Sequence, residues 1–346
     1  MPQPVLLLGT GRPGTYGAFA LARIAAVHPV VLVEAAPPAW ARPWLTGHIA
    51  ADPGAVSAGV VARYAARHSV RGVLTWDGEH LVAAARIAAW LGVPGIPEQT
   101  AAACADPDAL PALLAHHKAP PACPEDTEGP LVCAETVVLD DEVRIAALTR
   151  TTLGPPPARQ PLRHSVHAHD ALLHNPFLRQ TVERTVRALG LAHTVVHIGL
   201  RLTDRGPRVT GVAPHLPGDL IPLLVERATG VDLAVAAAAL ATGRPPALTP
   251  SRQRAASIQF AYPLTTGRLA HLTVDSAAAP EPSAGGVALT RRPGDRVTAA
   301  PYAGPADRLA HWVAEGADPT ECEQELRRMA DSLSVVVTPT AGRRAA

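Results

Sequence analysis

Apolar and polar positions follow two rhythms over the first hundred residues. Residues 5–8 (VLLL) form an unbroken apolar run that ends in glycines, as a strand buried on both faces of a parallel sheet does. TYGAFALARIAAVH (15–28) gathers its small and apolar residues on one side of a helix, and PVVLVE (29–34) is a second strand. AVSAGVVARYAARH (55–68), VRGVLTWD (70–77) and EHLVAAARIAAWLG (79–92) continue as helix, strand and helix, the last stopped by Gly92 and Pro94. This alternation makes βαβ units with right-handed crossovers, hence a Rossmann-like domain over residues 1–99.

Beyond it the pattern changes. Residues 100–118 predict one or two short helices limited by Pro107 and Pro111, and APPACPEDTEGP (119–130) is a Pro-rich, acidic link with no element of its own. Strands are predicted near 131–139 and 142–149, a helix over 175–190, and a hairpin of TVVHIGLRLT (194–203) and PRVTGVAPHL (207–216) around the three-residue turn Asp204-Arg205-Gly206. Pairing Thr203 with Pro207 sets Gly199 opposite Gly211, His197 opposite Ala213 and Val195 opposite His215, all on one face. A helix from about 219 follows, with Asp219 as its cap, and then an alanine-rich helix at 232–242. From about 250 short strands alternate with Pro/Gly turns, and 275–286 reads as a flexible loop. The chain ends in a helix capped by Asp318 or Thr320 and a strand, SVVVTP. The expected organisation is 1–99, a link over 100–128, an antiparallel lobe with helices over 129–249, and a small α/β domain over 250–346.

Composition narrows the setting. Of 346 residues, 47% are hydrophobic and 18% charged, which suits a folded chain of two or three packed units. Net charge is +1 with acids and bases interspersed, so nothing points to nucleic acid as a partner. No stretch reaches the ~20 apolar residues of a membrane span, and no signal peptide is read before the first strand. Cys104, Cys123, Cys133 and Cys322 show no CxxC or metal spacing, so free thiols in a reducing cytoplasm are expected.

Gly9, Gly11 and Gly14 spell GxGxxG after a strand and before a helix, and Glu34 ends the next strand twenty residues past Gly14. The spacing fits a dinucleotide fingerprint, with backbone amides for a pyrophosphate and an acid for a ribose hydroxyl. It equally fits any tight β–α turn, which favours glycine, and Arg12-Pro13 removes one amide from the loop. Nothing downstream resembles a hydride-transfer site.

GVLTWDGEHLVAAARIAAWLGVPGIPEQTAAACADPDAL, TVVLDDEVRIAALTRTTLGPPP, RHSVHAHD and TVERTVRALGLAHTVVHIGLRLTDRGPRV lead into HLPGDLIPLLVERATGVDLAVAAAALATG, the most distinctive stretch. With RRPGDRV and RLAHWVAEGADPTECEQELRRMADSLSVVV, they resemble the ATP-grasp carboxylate–amine ligases over nearly the whole chain. The resemblance implies a Rossmann-like first domain, an ATP-grasp lobe and a small C-terminal domain. It also implies Mg²⁺ and ATP chemistry, which needs hard oxygen ligands and cationic side chains around the moving phosphoryl group. By the resemblance, carboxylates belong where Gly199 and Gly211 stand, an asparagine at Ala213 and an arginine at His215. Phosphate lysines belong in a small clasping subdomain, here replaced by 119–130, and near Thr151; Lys118 is the only lysine in the chain. The expectation is a degenerate, truncated homologue with no cofactor, acting as a partner of an intact paralogue, as a homodimer or as a binder of an amino-acid-like molecule. The alternative is a divergent ligase that uses ATP and Mg²⁺, or an enzyme that reuses the cleft without them.

Other residues remain as pocket candidates. His197, Arg201 and His215 fall on the face where metal would sit, and either line a surviving pocket or are solvated remnants. His164, His167 and His169 have a spacing that hints at zinc, but His164 would face away from the other two on a strand, so surface and pocket-lining roles are the expectation.

Overall fold

The computed structural model of the chain describes residues 3–11, 13–55, 58–124, 127–275 and 287–339. Its first part runs β1 (Val5–Leu8), α1 (Gly14–Ala25), β2 (Val30–Glu34), β3 (Gly47–Ala50), α2 (Ala58–His68), β4 (Gly72–Leu74), α3 (Leu81–Leu91), α4 (Glu98–Ala105) and α5 (Ala109–His116). The middle comprises β5 (Leu131–Leu139), β6 (Glu142–Leu153), β7 (Pro161–His167), α6 (Pro176–Ala188), β8 (Thr194–Thr203), β9 (Gly206–Ala213), α7 (Ile221–Thr229) and α8 (Leu233–Ala241). The last part holds β10 (Ala255–Ala261), β11 (Gly267–Val274), β12 (Val287–Leu289), β13 (Arg296–Val297), β14 (Ala310–Gly316), α9 (Pro319–Asp331) and β15 (Leu333–Pro339). Of the segment 275–286, only Asp275 lies within the described residues, and Arg12 lies outside them.

Contacts gather these elements into two units, where the sequence predicts three domains and a link. One unit is Met1–Thr149 with His169–Ser251, the other Arg150–Ala168 with Arg252–Ala346. Two interactions explain the difference. Alanine-rich α8 lies so close to the N-terminal sheet that a Cβ on Gly72 would meet the Ala241 carbonyl at 2.9 Å. And β7 pairs antiparallel with β10, from Ala255 opposite His167 to Gln259 opposite Arg163, which draws 150–168 into the C-terminal unit.

In the first unit a parallel sheet has the order β3-β2-β1-β4, a Rossmann arrangement. Leu6 and Leu8 pack with Val31, Val33, Val61 and Ile87 in one apolar cluster. Strand β3 is not predicted from sequence because it is an edge strand with only Ile49 buried. The same unit holds an antiparallel run β6-β5-β8-β9. Its even-numbered positions, among them Val132, Ala134, Val196, Ile198 and Leu200, pack on Leu178, Val182 and Val186 of α6. Period-2 alternation therefore turns Cys133, Glu135, His197, Gly199 and Arg201 to the other face.

No separate subdomain stands between α5 and β5. Residues 117–130 join them directly; Ala122 forms a parallel bridge to Val209, and the Cys123 amide donates to the Val209 carbonyl at 2.8 Å.

In the second unit β12, β14, β10 and β7 form an antiparallel run, and β13-β11-β15 make a second sheet. Helix α9 is capped by Asp318, whose Oδ1 accepts from the Thr320 and Glu321 amides at 2.8 and 3.0 Å. No helix among the described residues is long and apolar enough to cross a membrane.

One side chain ties the two parts of the first unit together. Asp232 Oδ1 caps α8 by accepting from the Ala234 and Val235 amides at 3.0 Å each, while Oδ2 takes a 2.5 Å bond from Arg23 Nε on α1. Asp232→Ala removes cap and ion pair together and is expected to cost about 1–2 kcal/mol in urea unfolding. Arg23→Ala, which leaves the cap intact at a half-exposed pair, is expected to cost less than about 1 kcal/mol.

Candidate functional site

The crevice at the carboxyl ends of β1 and β4, where the strand order reverses, is where an open α/β sheet takes a ligand. Here the protein fills it with its own side chains. Gly9 (φ +67°) and Gly11 (φ +54°) adopt the left-handed conformation open to glycine, and added side chains would also collide with His80 and with the Asp77 carboxylate respectively. A Cβ on Gly14 would come within 2.6 Å of Trp40. Trp76 Nε1 donates to the Thr10 carbonyl at 2.8 Å, and the Thr75 hydroxyl donates to the Leu8 carbonyl at 3.1 Å. The Thr10 hydroxyl donates to Glu34, at 3.1 and 3.0 Å from its two oxygens, which occupies the acid assigned to a ribose. Close packing against the chain itself accounts for these glycines, and a carboxylate over Gly11 is ill suited to a pyrophosphate.

The hairpin face differs from the prediction in its turn. Thr203 pairs with Gly206 and Leu202 with Pro207, not Thr203 with Pro207, because the turn is the two-residue Asp204-Arg205 with Gly206 at φ +98°. The one-residue difference is absorbed by a β-bulge between Gly199 and Leu200, which leaves Thr210 as the extra residue. Gly199 therefore still faces Gly211, and His197 still faces Ala213. Gly199 and Gly211 are not equivalent: a side chain at Gly199 would collide with the Thr210 hydroxyl, whereas a Cβ at Gly211 would meet nothing within 4 Å.

Val195 does not pair with His215, since β9 ends at Ala213. The His215 amide turns back to the Ala213 carbonyl at 2.8 Å, and its Nδ1 lies 2.9 Å from the Leu216 carbonyl. Asp219 does not cap the following helix. Asp219 (φ +54°) and Leu220 (φ +60°) both lie in the left-handed region, and Leu220 occupies the N-cap position without a side-chain bond. Two successive non-glycine residues there store local strain. Arg201 is buried, with Nη1 donating to the Gly129 carbonyl at 3.0 Å. His164 sits in the second unit, buried, with Nδ1 2.9 Å from the Thr151 hydroxyl and its ring edge-on to Phe260 at 5.7 Å. Among the described residues no group of three His, Cys, Asp or Glu is placed to hold a metal ion.

The face also holds a buried carboxylate that the sequence pattern does not single out. Glu135 on β5 is 0% exposed and directly opposite His197. His197 Nδ1 lies 3.0 Å from both its oxygens, and the Thr149 hydroxyl donates to Oε1 at 2.7 Å. Burial acts to lower the His197 pKa, yet the Glu135 carboxylate, with Cys133 beside it, holds it well above the ordinary histidine value. The signal in the sequence is an acid in the apolar run LVCAETVVL, where a buried charge demands a partner.

These residues do not fit Mg·ATP. Gly199, Gly211 and Ala213 offer no side-chain oxygen, Glu135 is engaged by His197 and Thr149, and the chain's single lysine, Lys118, is exposed beyond α5. Thr151, at the place of a second lysine, bonds to His164 instead. A separate cleft opens beside the end of this hairpin. Its exposed lining is as polar as it is apolar, with Thr75, Trp76, His193, Thr194 and His215 among apolar side chains such as Val73, Leu81 and Ala84.

Residues 259–338 match the L-amino acid ligase C-terminal domain 2 family. The fold is similar to phosphoribosylglycinamide synthetase from Anaerococcus prevotii (TM-score 0.80, 14% identity, 98% of this chain and 100% of that one). It is also similar to L-amino acid ligase from Bacillus licheniformis (TM-score 0.76, 15% identity, 98% and 99%). Over 69 residues the sequence is 41% identical to carnosine synthase 1 of Gallus gallus, which covers 20% of this chain and 7% of that protein. The chain spans no more than 33% of the length of the curated relatives it matches.

The Glu135–His197 pair has a measurable signature. With its folded pKa above the unfolded value of about 6.5, His197 contributes stability that is fully present below that value and lost as pH rises through the folded pKa. Glu135→Gln is therefore expected to destabilise by about 2–4 kcal/mol in urea unfolding at about pH 6, less than a fully buried pair because the His197 side chain is 24% exposed. The difference from wild type should shrink as pH is raised through the folded pKa of His197. A difference independent of pH would remove the ion pair from the account.

Proposed function

We propose that the chain is a homologue of the ATP-grasp carboxylate–amine ligases that keeps the fold without the ligation chemistry and binds a small amino-acid-like molecule. The observation that carries this reading is the state of the sheet face. Its carboxylate, Glu135, is consumed by His197 and Thr149, and the facing positions Gly199, Gly211 and Ala213 supply no oxygen for a divalent ion. Without metal and lysine, nothing offsets the charge of a phosphoryl group in transit. Arg201, buried and donating to the Gly129 carbonyl, belongs to that face and is no substitute for a mobile phosphate lysine.

The cleft of mixed polarity beside the hairpin supports the binding role. Its body, with Val73, Leu81, Ala84 and Ala237, suits a short aliphatic group, while His193 and His215 suit a polar or anionic end. His193 is itself paired with Asp140 at 3.2 Å.

A second reading is a divergent ligase, favoured by the match of 259–338 to an L-amino acid ligase domain. Calorimetric titration separates the two. On the first reading Mg·ATP gives no binding heat, and mixing ATP with single amino acids and with pairs of them releases no ADP above the protein-free rate. At least one small amino acid or dipeptide should raise the Tm, by an amount that grows with its concentration. ADP release that depends on an amino acid would establish the ligase instead.

A further inference from the structure

We propose that β15 is an interface strand, along which two copies of this chain pair antiparallel across a two-fold axis at Val336. The sheet order β13-β11-β15 puts β15 at an edge, hydrogen-bonded to β11 on one side and to no further strand among the described residues on the other. An open edge is a template for another strand, and native proteins shorten, charge, bulge or cover it.

The other sheet edges among the described residues follow that rule. β13, across the same sheet, is two residues long and carries Arg296. β4 and β12 have three residues each and β3 has four. β9 carries Arg208, is bulged at Thr210 and is bridged by Ala122. β15 has none of these protections. LSVVVTP runs for seven residues without a charge, its proline is the last of them, and the irregularity in its ladder falls on β11, between Leu269 and His271.

The strand's own sequence selects the occupant. Read outwards from Val336, SVVVT is the same in both directions but for serine against threonine. A two-fold axis there sets Val336 opposite its own copy, Val335 opposite Val337 and Ser334 opposite Thr338. An isologous contact needs this self-complementarity, and a partner of unrelated sequence does not. Leu333, Val335 and Val337 pack on the apolar cluster of Leu269, Leu272, Val297 and Leu309, while Ser334, Val336 and Thr338 face outwards, Val336 being 53% exposed. Pairing therefore sets valine on valine on the inner face and brings the two apolar clusters together. On the outer face it makes a row of valines flanked by Ser–Thr pairs, and it brings no charge against another. Seven paired residues alone fall short of the about 1,200–2,000 Å² of a stable interface, so dimerisation is expected to depend on concentration.

The test measures the mass of the full chain by light scattering over a series of concentrations. The wild type is expected to rise from the mass of one chain towards that of two. Only residue 336 faces itself, so Val336→Lys and Val336→Glu each put like charges on the axis. Each should weaken dimerisation by about tenfold or more, and an equal mixture of the two should recover it. Val336→Cys traps even a weak dimer, since opposite Cα atoms about 4.5–5.5 Å apart lie inside the about 4.4–6.8 Å range of a disulfide. Mild oxidation should cross-link it, and should not cross-link Ser334→Cys, which faces Thr338 instead. Both positions are exposed, so these variants keep the fold. A wild type that stays at the mass of one chain throughout overturns the proposal. So does a mixture no more dimeric than either charged variant, or equal cross-linking of the two cysteine variants. None of these outcomes depends on whether the cleft binds an amino acid.

Discussion

A carboxylate withdrawn wholly from water must find partners or give up its charge, and Glu135 meets that demand within its own sheet. His197 lies opposite on β8, and Thr149 supplies a hydroxyl from β6. Three strands are thereby held by one side chain, at the level where the hairpin carries Gly199, Gly211 and Ala213. A divalent cation would compete for the same oxygens, and His197 would have to release them.

The glycine loop shows the same economy. In a dinucleotide site the glycines make room for phosphate; here the room is taken by Asp77, His80 and Trp40. Trp76 and Thr75 stitch the end of β4 to the loop after β1. The crevice at the switch point is thus part of the packing of the parallel sheet, and the open space of this unit lies elsewhere, along α3, α8 and the end of β9.

Much of this was legible in the sequence. The two rhythms locate β1, β2, β4 and their helices, since buried parallel strands are continuous apolar runs. Edge strand β3, with a single buried residue, gives no such run. Asp219 has the chemistry of a cap for α7 but a left-handed backbone, which composition does not reveal. Facing glycines were located through a turn one residue too long, and a bulge one residue wide cancelled the error. Glu135 escaped because its significance lies in a partner sixty-two residues away, a pairing no local window contains.

The bulge at Thr210 has a consequence of its own. Val209 and Val212 stand three apart, yet both enter the core against α6, which an even strand forbids. The supernumerary residue lets the strand change length without changing phase. Insertion or loss of a single codon there leaves every side chain before and after it on its original face. Elsewhere in the hairpin the same event would turn the strand inside out. Length variation in this hairpin is therefore tolerated at one address, and substitutions must carry change everywhere else.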